Sequence, residues 1–257
     1  MKYEIAQKRD LPSLTSLWQR CFGDSEASVK EFWKVFDQIT VFIAREKQPV
    51  AMLCALPVTY FDEAGEALPA SYLYAICTDS AYRKQGICAQ LMAYAERTLK
   101  NTGSAFAFLT PASDDLFDFY RKMGYQTAFY HERTTLAAGG TAKIQPIDTA
   151  AYQNLRQMQL YSEFVSYDDA ILGLQRGLYR VETAEVVCCS AAEKHGEELL
   201  IKEILPYDAS AACALASHLG CKNASVRSIG AQTPFAMAKS LGEYPIPENA
   251  YLGFAFD

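Results

Sequence analysis

The chain has 257 residues, half of them hydrophobic and 21% charged, with a formal net charge of -6. That composition can bury real cores, which excludes a disordered chain, and the length suits two domains of about 100 to 150 residues each. The acidic balance argues against nucleic acid as a main partner, because a phosphate backbone wants a basic surface.

The start, "KYEIAQ", alternates and predicts a strand. "RDLPSLTSLWQRCFG" places Leu14, Leu17, Trp18 and Cys21 at helical spacing, with Asp10 as a cap and Gly23 as a stop. "SEASVKEFWKVFD" predicts a second helix, with Ser25 as N-cap and Val29, Phe32, Trp33 and Phe36 on one face. "TVFIARE", "PVAMLCALPVTYF" and "PASYLYAICT" read as strands joined by hairpin turns at "KQ" and "DEAGEAL". "ICAQLMAYAERTLKNTG" is a helix, with Ile87, Leu91, Tyr94, Ala95 and Leu99 on one face and Gly103 at its end. "SAFAFLT" is a buried strand, "SDDLFDFYRKMGY" a short helix from Ser113 to Gly124, and "YQTAFYHERTTL" another strand.

"AAGGTAK" is small, glycine-bearing and without apolar period, so residues 139–143 read as a linker between domains at 1–138 and 144–257. After it, "KIQPID" predicts a strand, and "TAAYQNLRQMQLYSEF" and "YDDAILGLQRGL" predict two helices. "YRVETAEVVCCSAAE" and "ELLIKEILPY" predict a hairpin across "KHGE", "ASAACALASHLG" a helix and "NAYLGFAF" a final strand. Both halves thus begin strand, helix, helix, strand, strand, a weak repeat of elements rather than of residues. The first 138 residues hold 15 basic and 16 acidic side chains and the rest 9 and 14, so the second part carries -5 of the -6. That charge is either a solvated face or a surface suited to a cationic small substrate.

No apolar run approaches the roughly 18 residues of a membrane span, and "MKYEIAQKRDLP" has no apolar signal region. The cysteines at 21, 54, 77, 88, 188, 189, 213 and 221 lie mostly in apolar stretches without CxxC spacing. They read as buried free thiols in a reducing cytoplasm. His131, His195 and His218 stand far from any cysteine pair, so no metal site is expected.

The chemistry concentrates in "YRKQGIC", residues 82 to 88, between a predicted strand and a predicted helix. A helix start leaves backbone N–H groups unpaired and carries partial positive charge, which makes it an anion site. Gly86 lets the backbone approach a phosphate, Arg83 and Lys84 add charge, and Gln85 adds a donor. The same features also suit an ordinary polar turn.

Arg83-Lys84-Gln85-Gly86-Ile87-Cys88, followed by Ala89, resembles motif A of the GCN5-related N-acetyltransferases, with Cys88 in place of the family's smaller last residue. "FYRKMGY", residues 119 to 125, resembles the second signature of that family at the expected distance. "TDSAYRKQGICAQLM" and "FLTPASDDLFDFYRKMGY" are similar to the branch typified by the enhanced intracellular survival acetyltransferases, which append a degenerate acetyltransferase-like domain. The resemblance implies an α/β (α+β) fold with a mixed sheet splayed between two parallel strands, "YLYAICT" and "SAFAFLT", followed by a smaller domain of the same kind. It implies acetyl-CoA as donor substrate. Ile76, Cys77 and Thr78 would pair with the pantetheine, Lys84 to Ala89 would hold the pyrophosphate, and Ser113 would help position the donor. Tyr120 stands at the family's acid position, four residues before Gly124; its plain alternative is a core aromatic.

Direct transfer to an amine needs a neutral nucleophile and a protonated leaving thiol. A lysine-like amine of pKa about 10.4 costs about 4 to 5 kcal/mol to neutralise at pH 7. No base is visible in the predicted fourth strand. His131 and Glu132 lie on the next strand, and the terminal carboxylate of Asp257 is a weak candidate by analogy with the branch. The expectation is an N-acetyltransferase acting on a primary amine of a small or peptide acceptor, with a cationic amine suited to an acidic second domain. Use of another acyl-CoA, or a non-catalytic acyl-CoA-binding module, are the alternatives.

Overall fold

Through residue 126 the chain folds largely as its local patterns dictate. The computed structural model describes every residue except Tyr161, Asn249 and Asp257. It begins β1 (Lys2–Ile5), α1 (Leu11–Phe22), α2 (Glu26–Phe32), β2 (Thr40–Arg45), β3 (Pro49–Phe61) and β4 (Ala67–Thr78). Next come α3 (Ile87–Asn101), β5 (Phe106–Leu109) and α4 (Asp114–Arg121). α1 buries Leu14, Leu17 and Trp18 and ends on Gly23 at φ 80°. Asp10 does not cap it. Its carboxylate accepts from the Gln7 amide at 2.8 Å and pairs with Arg45 at 2.9 Å. A charge-assisted bond to a guanidinium outweighs one amide bond, so the side chain turns away from the helix. Ser25 does cap α2, its hydroxyl accepting from the Ser28 amide at 3.1 Å.

The second half continues with β6 (Gln126–Ala137), β7 (Lys143–Pro146), α5 (Thr149–Gln157), β8 (Phe164–Tyr167) and α6 (Asp169–Leu172). Then follow β9 (Leu178–Glu182), β10 (Val187–His195), β11 (Glu198–Leu205), α7 (Ala209–His218), β12 (Asn223–Ile229) and β13 (Thr233–Ser240). Several expectations fail here. The helix expected to reach Phe164 stops at Gln157, and "FVSY" is a strand. Long-range bonds select the extended form: Arg156 donates to the Val165 carbonyl at 2.9 Å, and the Tyr167 hydroxyl to those of Leu252 and Phe254. The next expected helix is only the four residues of α6. "YRVETAEVVCC" is two strands, because the Thr183 hydroxyl accepts from the amides of Glu185 and Val186 and turns the chain. The expected strand "NAYLGFAF" begins with Asn249, which lies outside the described residues, and residues 250–256 are not a strand; Tyr251 makes one isolated bridge with Phe164, and Gly253 at φ 84° leaves β geometry. β12 and β13 are strands that the sequence reading passes over.

Contacts divide the chain into two compact units. The first holds Met1–Tyr60, Ala67–Gln126 and Met237–Ile246; the second holds Phe61–Glu66, Thr127–Ala236 and Pro247–Asp257. In the first, the strands run β1-β2-β3-β4-β5, and Met237–Ser240 of β13 pair antiparallel with β5. β4 and β5 are parallel neighbours joined by α3. Their core gathers Leu53, Leu73, Leu91, Ala95, Phe117 and Tyr120. In the second, the order is β6-β12-β11-β10-β9-β7, with β11 and β12 parallel and joined by α7. Val181, Ile201, Leu215 and Val226 lie in its core. Among the described residues no helix is long and apolar enough to cross a membrane.

Candidate active site

The site in the first unit is built by two strands that part company. β4 and β5 pair only over Ala70–Tyr72 against Phe106–Phe108. Beyond Tyr72, β4 runs on to Thr78 without its parallel neighbour, which opens a wedge at the C-terminal ends of both strands. Ala75, buried, sits at φ 51° in this stretch. For a non-glycine residue that conformation costs roughly 1 to 2 kcal/mol, and such strain concentrates where a strand must re-aim its backbone groups. Ile76, Cys77 and Thr78 follow it directly.

The turn after β4 is held by its own side chains. Asp79 accepts from the Ala81 amide at 3.2 Å and from Arg20 at 2.9 Å, so it is a turn residue and not a free base. Arg83 donates from Nε to the Thr78 carbonyl at 3.1 Å, tying the loop back to the strand end. Lys84 at φ 61° and Gly86 at φ 74° are both left-handed. Lys84, Gln85 and Gly86 are exposed. α3 therefore begins on a glycine with no side-chain cap, and the amides of Ile87, Cys88 and Ala89 are the first of the helix. Uncapped amides with the positive end of the helix dipole fit a pyrophosphate. A side chain at Gly86 meets little, the Gln90 amide nitrogen at 3.7 Å being the nearest atom, so conformation rather than space demands glycine there.

Two hydroxyls add to the fit. Thr78 Oγ1 and Thr110 Oγ1, at the ends of the two diverging strands, are buried without a hydrogen-bond partner. A buried hydroxyl left unmatched costs free energy, and a polar ligand in the wedge relieves it. Thr110 is a position that the sequence reading did not reach.

Tyr120 is buried on α4 and shares the core with Ile87, while Ile76 and Cys88 pack against the same cluster. Burial, and then the neighbouring Cys88 thiol, push its phenol well above its ordinary value, so it holds its proton. Burial lifts the Cys88 thiol to about 11. Ile76, Ile87, Cys88 and Tyr120 are thus brought together. Ser113 is not among them: it stands at the start of α4 without capping it, and its hydroxyl donates to Asp115 at 2.6 Å.

Sequence reasoning missed Lys239. This β13 residue pairs with Glu96 at 2.6 Å and donates to the Met123 carbonyl at 2.7 Å, while Tyr125 donates to Glu96 at 3.0 Å. The amides of Met123 and Tyr125 in turn donate to the Tyr120 carbonyl. Lys239 so clasps the exit of the Tyr120 helix, where Gly124 turns at φ 90°. No local signal could have found it, because its partners lie more than a hundred residues earlier.

Asp79, Glu96 and Asp115 are all engaged by other groups. His131 and Glu132 lie in the second unit. Asp257 lies outside the described residues. Among the described residues no cluster of three or more His, Cys, Asp or Glu side chains is placed to hold a metal ion.

The family of the acetyltransferase (GNAT) domain matches residues 2–128. No curated protein matches the chain. Among solved structures, a probable N-acyltransferase of unknown function from Enterococcus faecalis is 16% identical, with a TM-score of 0.71 over 93% of this chain and 72% of that one. A GCN5-related N-acetyltransferase from Anabaena variabilis is 17% identical, with a TM-score of 0.71 over 94% and 73%. Eis1 from Mycobacterium abscessus is 13% identical, with a TM-score of 0.62 over 94% and 74%. At these identities the likeness is one of fold, and it extends over nearly the whole chain.

Proposed function

We infer, from a chain that belongs to the GCN5-related N-acetyltransferases through residues 2–128, direct transfer of an acetyl group from acetyl-CoA to a primary amine. The observation that carries this reading is the uncapped start of α3 at Gly86, beside a wedge between parallel strands. Ile76, Cys77 and Thr78 would line the pantetheine. The amides from Ile87 to Ala89, with Lys84 and Gln85 around them, would hold the pyrophosphate, and Arg83 would stiffen the loop from the Thr78 carbonyl.

The acceptor amine attacks the thioester carbonyl, and the C–S bond breaks as the C–N bond forms. The amine proton passes to water, since among the described residues Asp79 and Glu96 are engaged by other groups. The leaving thiolate takes a proton from Tyr120, which is protonated at neutral pH and which burial makes a weaker acid than a free phenol, and water returns the proton to the phenolate. We place the catalytic domain at 1–138, the linker at 139–143 and an acetyltransferase-like domain at 144–257. The parallel β11–α7–β12 crossover, of the same form as β4–α3–β5, supports this division. Residues Met237–Ile246 of the second segment belong to the first unit, and Phe61–Glu66 and residues 127–138 of the first segment belong to the second unit. A small or peptide acceptor, cationic and met in the cytoplasm, completes the reading.

Calorimetric titration with acetyl-CoA, followed by a panel of amines, tests it. Wild-type protein should bind and turn over at least one amine. Tyr120→Phe should lower kcat by about 100-fold or more while acetyl-CoA affinity stays within about twofold. Binding without turnover of any amine would favour a non-catalytic acyl-CoA module, and turnover only with longer donors would favour another acyl-CoA.

A further inference from the structure

The first unit brings two thiols together beside the wedge. The end of α1 follows the last residues of β4 through three side-chain contacts. The rings of Trp18 and Tyr74 meet edge to face, with centroids 5.7 Å apart. The Cys77 thiol hydrogen-bonds to Cys21. Arg20 holds Asp79 at 2.9 Å. A regular strand could not make this row, because residues three apart, such as Tyr74 and Cys77, point to opposite faces. Ala75, at φ 51°, breaks the alternation. Leu73 and Ile76, also three apart, both pack on the cluster that holds Leu91 and Ala95. Tyr74 and Cys77 are left to face α1 together.

The two thiols are not equivalent. Cys21 is half-buried and Cys77 is buried. The hydrogen bond from Cys77, supported by Arg83 and Arg20 against burial and Asp79, lowers the Cys21 thiol to about 7. The same hydrogen bond, together with burial, pushes the Cys77 thiol up, so it keeps its proton. Cys21 is therefore about half thiolate at neutral pH, and a second sulfur is held against it. A reachable thiolate beside a protonated partner is the arrangement of an attacking and a resolving cysteine. Cys54 also lies near Cys77, but burial holds its thiol protonated.

We propose that Cys21 and Cys77 are an oxidative modification site, which hydrogen peroxide closes to a reversible disulfide that weakens acyl-CoA binding in the wedge. The Cys21 thiolate attacks a peroxide oxygen: the S–O bond forms, the O–O bond breaks, and hydroxide leaves to take up the proton that Cys21 had released. The Cys77 sulfur then attacks the sulfenic sulfur. The S–S bond forms, the S–O bond breaks, and the departing hydroxide leaves as water with the Cys77 proton. Two thiols are oxidised and one peroxide is reduced to two waters; a thiol reductant reverses the disulfide. The covalent bond is shorter than the hydrogen bond it replaces, so closure draws the end of β4 towards α1. Ile76 to Thr78 lie on that end, directly after the strained Ala75. The effect on binding rests on the acetyl-CoA reading above, whereas the disulfide does not.

The test treats the full chain with a small excess of hydrogen peroxide at neutral pH and then alkylates the remaining thiols. Peptide mass spectrometry should find the Cys21 and Cys77 peptides joined, and dithiothreitol should separate them. Calorimetric titration should show acetyl-CoA affinity about tenfold or more lower in the oxidised protein, recovered on reduction. Cys21→Ser should bind acetyl-CoA like the reduced wild type and should not respond to peroxide; Cys21→Ala serves if that variant does not fold. No Cys21–Cys77 linkage, a Cys54–Cys77 linkage in its place, an affinity that peroxide leaves unchanged, or one that it lowers equally in Cys21→Ser would each overturn the proposal. If the reduced protein binds no acetyl-CoA, the donor reading fails on its own account, and the peptide map still decides the disulfide.

Discussion

The crossovers β4–α3–β5 and β11–α7–β12 are built alike and finish differently. Each joins two parallel strands through one helix. In the first, residues 79–86 separate strand from helix; in the second, residues 206–208 suffice. The longer connection brings α3 in on an exposed, left-handed glycine and leaves its amides uncapped. The shorter one delivers Asp208, whose carboxylate accepts from the Ala211 amide at 2.6 Å. α5 is closed in the same way by Asp148, at 2.8 Å from the Ala151 amide. In the proposed site the anion takes the place at the start of α3 that a capping side chain fills in α5 and α7. Where the chain supplies its own carboxylate, the amides are satisfied and the charge repels a phosphate. The interiors differ too. The first unit's core around α3 is apolar apart from tyrosine hydroxyls, whereas the second buries the Arg156–Glu203 pair, 1% and 0% exposed.

The largest expected effect breaks that pair. Glu203→Gln leaves the Arg156 guanidinium buried without its counter-charge and should cost about 3 to 5 kcal/mol, read as a fall in the denaturant midpoint. Arg156→Met with Glu203→Leu should cost less than Glu203→Gln alone. If the single change is silent, the pair is not what holds α5 against β11.

Gly86→Asp against Gly86→Asn asks directly whether the missing cap makes the site. The two side chains match in shape and both tolerate left-handed backbone. Asparagine should keep much of the acetyl-CoA affinity, and aspartate should lose about tenfold or more relative to it through charge. Equal affinities would remove the α3 amides from the reading.

Asp208→Ala should cost about 1 kcal/mol as a lost cap, shifting the second unit's unfolding without altering acetyl-CoA binding. The smallest effect concerns reactivity alone. A hydrogen bond from Cys77, helped by Arg83 and Arg20, lowers the Cys21 thiol to about 7. Its thiolate fraction therefore rises as pH climbs through 7, and alkylation rises with it. Peptide mass spectrometry after brief iodoacetamide treatment at pH 6 and pH 8 should show Cys21 labelled first and more at pH 8, with buried Cys54 and Cys189 protected. Labelling of Cys21 no faster than these would deny the thiol contact.

Much of this protein was legible from local pattern. Periodicity marked α1, α3 and the strands up to β6, because each buries one face set by residues three or two positions apart. Gly86 and Gly124 announced their turns, since left-handed backbone favours glycine whatever lies around it. Those signals sufficed for the family resemblance and for most of the candidate wedge. The rest depended on residues far apart in sequence. "FVSY" is a strand because Arg156 and the stretch after Tyr251 bond to it. Lys239 reaches the Tyr120 helix from the end of β13. The strain at Ala75 and the buried hydroxyls of Thr78 and Thr110 exist only because β4 and β5 diverge. Short-range sterics and amphipathic period can be read along a chain; charge pairing, strand register and the sealing of a helix start by a carboxylate are decided only when the chain has folded.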